Sequence, residues 1–404
     1  MKTVALIGTF DTKGEEFFFV KELLQSLDLR VITIHTGVLP ATFAPDINNE
    51  EVVKSGNGNL AELLKEKSKT QAIQALTKGV EKLLPRLFAE GRFDGVLAMG
   101  GSGGTAIACP GMRRIPIGVP KIMVSTVAAG DISRYVGASD IIMYPSVVDV
   151  SGLNRISMKV YINAALAIAG MLNFNADVTR NDRPLIGATM FGVTTPCVDM
   201  ARKQMEKKGY EVIVFHATGN GGRAMEALVE SGYFAGLLDL TTTEWCDEIA
   251  GGIMAGGPER MNAAAKRGLP QVVSVGALDM VNFAGPDTIP SKYNNRKFYQ
   301  HNASITLMRT TIEENRKLGV IIAEKLNQSV GPVALMLPLG GVSSMDAEGQ
   351  AFYGPEEDFA LFEAIRNHLD RSKVELIEME TNINDAVFAE MACKKLIEYI
   401  EKSR

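Results

Sequence analysis

The sequence is sparing with the residue types that build metal centres and basic surfaces. Its 404 residues include 4 cysteines, 4 histidines and 1 tryptophan. Cys109, Cys197, Cys246 and Cys393 lie far apart, with no C-x-x-C and no histidine at ligand spacing. That spacing argues against a zinc site and for buried thiols in a reducing cytosol. No basic excess is present either: 42 Lys plus Arg stand against 47 Asp plus Glu, a formal charge of −5. A nucleic-acid partner needs clustered cations, so none is expected. Long hydrophobic runs are missing too. The most apolar helix-like stretch, Ala164 to Leu172, is too short to span a bilayer. The first residues pass straight into the strand-like run Thr3 to Ile7, without a signal-peptide pattern. These absences together lead to the expectation of a cytoplasmic protein with no membrane partner.

What is present is an ordinary globular composition, 46% hydrophobic and 22% charged, in a chain long enough for two domains. Short apolar runs alternate with helix-compatible segments, the grammar of an α/β fold with mostly parallel sheets and right-handed crossovers. The expected strands are Val4 to Ile7, Val31 to His35, Val96 to Met99, Lys121 to Ser125 and Ile141 to Tyr144 in the first half. In the second half they are Leu185 to Met190, Glu211 to His216, Phe234 to Leu240, Gln271 to Val275, Pro332 to Leu337 and Val374 to Glu378. A helix is expected from about Ala61 to Glu90, and Ala41 to Gly58 reads as a long polar loop. Composition shifts at Asn181-Asp182-Arg183-Pro184, where the proline stops any continuing helix. The expected domains are therefore residues 1–181 and 182–404, each a Rossmann-like three-layer α/β unit, with strand-end loops lining a cleft between them.

The halves echo each other. Phe93-Asp94-Gly95-Val96-Leu97 resembles Phe234-Ala235-Gly236-Leu237-Leu238, and Gly118-Val119-Pro120-Lys121 resembles Gly268-Leu269-Pro270-Gln271. Two echoes in one order at similar offsets favour duplication, although shared α/β grammar alone could produce them.

Four stretches carry the candidate chemistry. The run Gly100-Gly101-Ser102-Gly103-Gly104-Thr105 follows a buried strand and opens a helix, so backbone N–H groups there can close on a phosphate. It also contains Gly-x-Ser-x-Gly, the local form of a hydrolase nucleophile elbow, though no histidine can be assigned as its base from His216, His301 or His368. It is neither a Walker A loop nor a dinucleotide fingerprint. Gly8-Thr9-Phe10-Asp11-Thr12-Lys13-Gly14 ends the first strand; Asp11 and Thr12 can cap the next helix, or Lys13 can serve as a point charge for a phosphate. In the second half, Thr218-Gly219-Asn220-Gly221-Gly222 is another amide-rich turn, and Thr241-Thr242-Thr243-Glu244 sets hydroxyls and a carboxylate after a strand. Those residues suit a sugar, a water-bridged metal or ordinary helix capping. Asp131 and Asp279 are loop carboxylates of no further specificity, and Arg309 reads as a structural ion-pair partner.

Taken together, these motifs resemble the UPF0261 family, whose members are described as carrying a Tm-1-like ATP-binding domain. The resemblance also includes His216-Ala217-Thr218-Gly219, Gly257-Pro258-Glu259-Arg260, Gln271 to Asn282 and His301 to Thr311, and runs from Lys2 to Ile400. It implies two Rossmann-like domains and self-association, with a homo-oligomer, a dimer first, expected. Plant members, one of them an inhibitor of tobamovirus RNA replication, carry a further domain beyond the resemblance, so the antiviral role is not expected here. The expected function is thus the binding of a small-molecule ligand, ATP or a related phosphorylated compound. Gly101 to Thr105 and Lys13 would hold the phosphates, with Asp11 or Glu244 positioning Mg²⁺. Two alternatives stand beside it: a hydrolase with Ser102 as nucleophile, and a protein-binding scaffold using the Ala41 to Gly58 loop.

Overall fold

The computed structural model describes residues 1–62, 69–174 and 183–403. The chain divides into two compact units, Met1–Arg180 and Asn181–Arg404. The expected boundary at residues 181 and 182, and part of the helix expected from Ala61, lie outside the described residues.

In the first unit β1 (Thr3–Gly8), β2 (Arg30–His35), β3 (Gly95–Gly100), β4 (Lys121–Ser125) and β5 (Ile142–Pro145) form a sheet in the order β2-β1-β3-β4-β5. All its pairings are parallel. Strand periodicity sends alternate side chains to opposite faces. Val4, Leu6, Leu97 and Val124 accordingly pack with helices Gly14–Ser26 and Arg155–Asn173. Ala5, Ile7, Val96 and Met123 pack with helices Lys69–Ala89 and Ser102–Met112. With both faces covered, the strands read as continuous apolar runs rather than alternating ones.

Helix Arg155–Asn173 takes in the apolar stretch Ala164 to Leu172. At 19 residues it is long and apolar enough to cross a membrane by length and composition, with 39% of its most apolar window buried. Val160, Ala164, Ile168 and Leu172 supply the buried stripe. The polar stretch Ala41 to Gly58 is also less irregular than expected. It contains the helix Asn49–Ser55, started by Asn48, whose side chain accepts the Glu51 N–H at 2.9 Å.

In the second unit β6 (Leu185–Met190), β7 (Glu211–His216), β8 (Phe234–Thr241) and β9 (Gln271–Gly276) join two later strands in one parallel sheet. A separate antiparallel sheet is built from β10 (Met280–Phe283), β11 (Phe298–Asn302) and β12 (Ile305–Arg309), in the order β10-β12-β11. With β13 (Val333–Pro338) and β14 (Val374–Met379), the parallel order is β14-β13-β9-β8-β6-β7. Counted within the unit, this is the first unit's order with one further strand. Val96 N–H donates to Pro120 O at 2.9 Å, and Leu237 N–H donates to Pro270 O at the same distance. Both sequence echoes therefore fall on matching third and fourth strands and make the same hydrogen bond.

Candidate functional site

In a doubly wound sheet, ligands bind beyond the carboxyl ends of the strands, where the order reverses. In the first unit that point lies between β1 and β3. Their register sets Ile7 beside Ala98, so the chain leaves β1 at Thr9 next to the point where it leaves β3 at Gly101. Two of the four candidate stretches are thus neighbours.

The glycine turn is open. Gly101 is the N-cap of helix Ser102–Met112, and no cap side chain bonds to it. The first N–H groups of a helix have no intrahelical partner, and those of Ser102, Gly103 and Gly104 point past the strand end. The Thr105 amide, by contrast, donates to Gly101 O at 2.9 Å. Its hydroxyl bonds Gly101 O at 2.8 Å and Ser125 Oγ at 2.6 Å, which fixes the turn to β4. Gly100 packs on Gly104, whose Cα lies 3.0 Å from where a Gly100 side chain would begin. A side chain at Gly103 would meet nothing within 4 Å. Ser102 is exposed, and among the described residues no histidine hydrogen-bonds it.

The β1 loop is more committed. Gly8 is required by packing, because an added Cβ would lie 1.8 Å from Phe17 Cζ. Thr12 Oγ1 donates to Thr9 Oγ1 at 3.2 Å. Lys13 Nζ donates to Val150 O, tying the loop to the segment that follows β5. Asp11 leans toward β2, away from the glycine turn. One carboxylate oxygen accepts the Leu39 N–H at 3.0 Å, while the other is buried without a partner, over the space left by Gly37. His35 beside it is fully engaged: Nδ1 accepts from Phe10 N–H at 3.1 Å, and Nε2 meets Leu39 O at 2.8 Å.

The glycine-rich turn of the second unit follows β7, the counterpart of β2 rather than of β3, and is filled from within. Glu244 is 1% exposed. Its Oε1 accepts the N–H groups of Gly219 at 2.6 Å and Gly222 at 3.1 Å. Its Oε2 accepts from Arg260 Nε at 2.6 Å. Arg260 also clasps Asp239 through two bonds of 2.6 Å each, with Glu226 at 3.5 Å. Those carboxylates raise the guanidinium pKa against the opposing effect of burial. Gly219 takes φ +79°, the left-handed backbone that turns its amide inward. Asn220 and Arg223 pair at the rim at 2.7 Å, and Gly221 packs on His216 O. Thr218 bonds back to His216 O at 3.3 Å. The hydroxyls of Thr242 and Thr243 donate to Ser274 O at 3.0 Å and Met280 O at 3.4 Å. Sequence placed an anion-binding turn and a carboxylate here; the structure makes the carboxylate the turn's own anion.

Neither proposed magnesium ligand suits the ion. Both Glu244 oxygens are taken, and Asp11 faces the wrong side of β1; no group of three or more His, Cys, Asp or Glu side chains placed to hold a metal occurs among the described residues. Arg309 is the structural ion-pair partner that its context suggested, bonding Asp346 at 3.1 Å and Asp358 at 3.0 Å, with Phe352 O at 2.8 Å. Burial and the Asp279 charge push the Asp346 carboxyl up from its ordinary value, and the Arg309 charge pulls against them. Asp346 and Asp358 carry no local motif, so no sequence signal marked them. They lie 37 and 49 residues from Arg309.

Parallel sheets with reversed strand order define a two-unit Rossmann-like α/β protein, whose first unit carries a strand-end turn with open amides. The chain belongs to the UPF0261 family. The uncharacterised UPF0261 N-terminal domain matches residues 2–177 and the UPF0261 C-terminal domain residues 183–400. A UPF0261 protein of Clostridium tetani is 50% identical over 99% of this chain and 100% of its own length. One from Rhizobium meliloti is 46% identical over 97% and 98%. The ToMV resistance protein Tm-1(GCR237) of Solanum lycopersicum is 39% identical over 99% of this chain, which spans 56% of that protein. Among solved structures, UDP-N-acetylglucosamine 2-epimerase from Rickettsia bellii aligns over 100% of this chain and 97% of its own. The identity is 10% and the TM-score 0.22, a likeness that specifies neither ligand nor reaction.

Proposed function

We propose that this protein binds a nucleotide, ATP in the first instance, through the glycine turn of its first unit. One observation carries the reading: three helix N-terminal amides, at Ser102, Gly103 and Gly104, open at the β1/β3 switch point, with free space beside Gly103. Amides so placed hold phosphate oxygens, and the helix dipole favours the negative charge. Lys13 lies in the adjoining loop and reaches a phosphate by giving up Val150 O. The nucleotide brings Mg²⁺ on its own phosphates, because neither Asp11 nor Glu244 is placed to hold it. The family resemblance to Tm-1-like ATP-binding domains supports the same reading.

Calorimetric titration with ATP and Mg²⁺ tests it. Wild type should bind and Gly103→Val should not, since the added side chain fills the space a phosphate needs. Lys13→Ala should bind more weakly. An absence of ATP binding in wild type, or undiminished binding by Gly103→Val, ends the proposal.

A further inference from the structure

Helix Ser102–Met112 does more than present its first turn. Gly103, Ala106, Pro110 and Arg113 recur at intervals of three and four, so they form one stripe along the helix. Beside that stripe lies a cavity of about 400 Å³, lined by Ala106, Pro110, Arg113, Asp131, Arg134 and Tyr135. Its far wall belongs to the chain leaving β4. The first residue of that chain is tied to the turn itself, since the Thr126 N–H donates to Gly100 O at 3.3 Å. From Gly103 to Pro110 the helix rises about 10 Å, the reach of a nucleotide from phosphate to base.

The lining has two kinds of group. Ala106, Pro110 and the Tyr135 ring are flat or apolar surfaces. Arg113 is spent on the wall, its Nη1 donating to Arg134 O at 2.7 Å and Tyr135 O at 3.3 Å. The Arg134 guanidinium makes no hydrogen bond or ion pair among the described residues. Asp131 accepts the Ser133 N–H at 2.9 Å. The Ser133 hydroxyl and N–H and the nearby Arg134 charge lower its pKa, so the exposed carboxylate is an ionised acceptor at neutral pH. A second phosphate would meet Asp131 as a like charge. A nucleobase edge carries donors and acceptors side by side, which is what a guanidinium next to a carboxylate can pair with.

We infer that this cavity is the base pocket of the bound nucleotide, with Arg134 and Asp131 pairing with the base edge and Tyr135 and Pro110 walling its faces. The inference rests on the proposed binding of phosphates at the glycine turn and adds a residue-level source of base recognition.

The test compares ATP with inorganic tripolyphosphate, which has the phosphates without the base, by calorimetry on the full chain. Arg134→Ala should weaken ATP binding about tenfold or more and leave tripolyphosphate binding unchanged. Asp131→Asn should weaken ATP in the same selective way and change the ranking of ATP against GTP. Both side chains are exposed, so folding is retained, and a circular-dichroism melt confirms it. If wild type binds ATP but Arg134→Ala binds it equally well, or loses both ligands alike, the base pocket is refuted while the phosphate turn stands. If wild type binds neither ligand, the phosphate reading fails and takes the pocket with it.

Discussion

Glu244→Ala removes an anion from a place built to hold one. In wild type the carboxylate accepts two backbone N–H groups and one Arg260 Nε–H, all inside the protein. Hydrogen bonds to a charged group are worth about 1.5–3 kcal/mol each, and breaking a buried ion pair costs about 3–5 kcal/mol. Arg260 keeps its two bonds to Asp239, so the loss should stay near the lower figure, about 3 kcal/mol. The assay is urea unfolding followed by fluorescence of Trp245. It is the only tryptophan in the chain and is 5% exposed beside the site, so the signal reports the second unit. Alanine leaves the two amides empty, and phosphate or acetate from solution can enter. An anion that binds only the native state at a hundred times its Kd restores about 2.7 kcal/mol. The Glu244→Gln variant keeps the space filled, so it should lose stability without anion rescue. The reasoning is refuted if Glu244→Ala unfolds at the wild-type midpoint, or if anions stabilise all three proteins equally.

Other outcomes follow from the same geometry. Gly222→Ala should destabilise the second unit, since its Cβ would lie 2.3 Å from Glu244 Oε2; Gly103→Ala, with open space around it, should melt within a few degrees of wild type. Burial pushes the Asp247 carboxyl up to about 7. The folded state then holds a proton that the unfolded chain releases near pH 4, and stability should fall as pH rises from about 4 to 7. Asp247→Asn should flatten that slope in urea midpoints measured across the range. All four cysteines are buried, and burial pushes the thiols of Cys109, Cys197 and Cys393 up to about 12. Ellman's reagent at pH 8 should therefore label none of them in the native protein and all four in urea; fast labelling of the native chain would contradict the packing.

The parts of this fold that were legible in the sequence are those in which a local pattern decides the outcome. Runs such as Val4-Ala5-Leu6-Ile7 are apolar throughout because helices cover both sheet faces, and each glycine cluster marks a strand end. The antiparallel sheet escaped notice because β11 is mostly exposed, reading Phe-Tyr-Gln-His-Asn, and is specified by its pairing with β12 rather than by its own hydrophobicity. Helix Asn49–Ser55 was hidden for a similar reason: seven residues in a polar stretch leave too little periodicity to see. At the candidate sites, composition located the turns but not their occupancy. Glu244 and Arg260 are 16 residues apart, and nothing local says that one will neutralise the other inside the second turn. Lys13 likewise meets Val150 across 137 residues.

The plugged second turn has a consequence for stoichiometry and descent. Two units with the same strand order, and the same Pro–amide bond at matching strands, would ordinarily bring two equivalent ligand sites. At the position matching the open turn, after β8, the second unit carries Glu244, already held by Arg260 and the β7 turn, so each chain should titrate with one equivalent of nucleotide rather than two. The antiparallel sheet and the buried Arg309 cluster also lie in that unit. The two units thus share a strand order while one presents an open turn and the other a filled one.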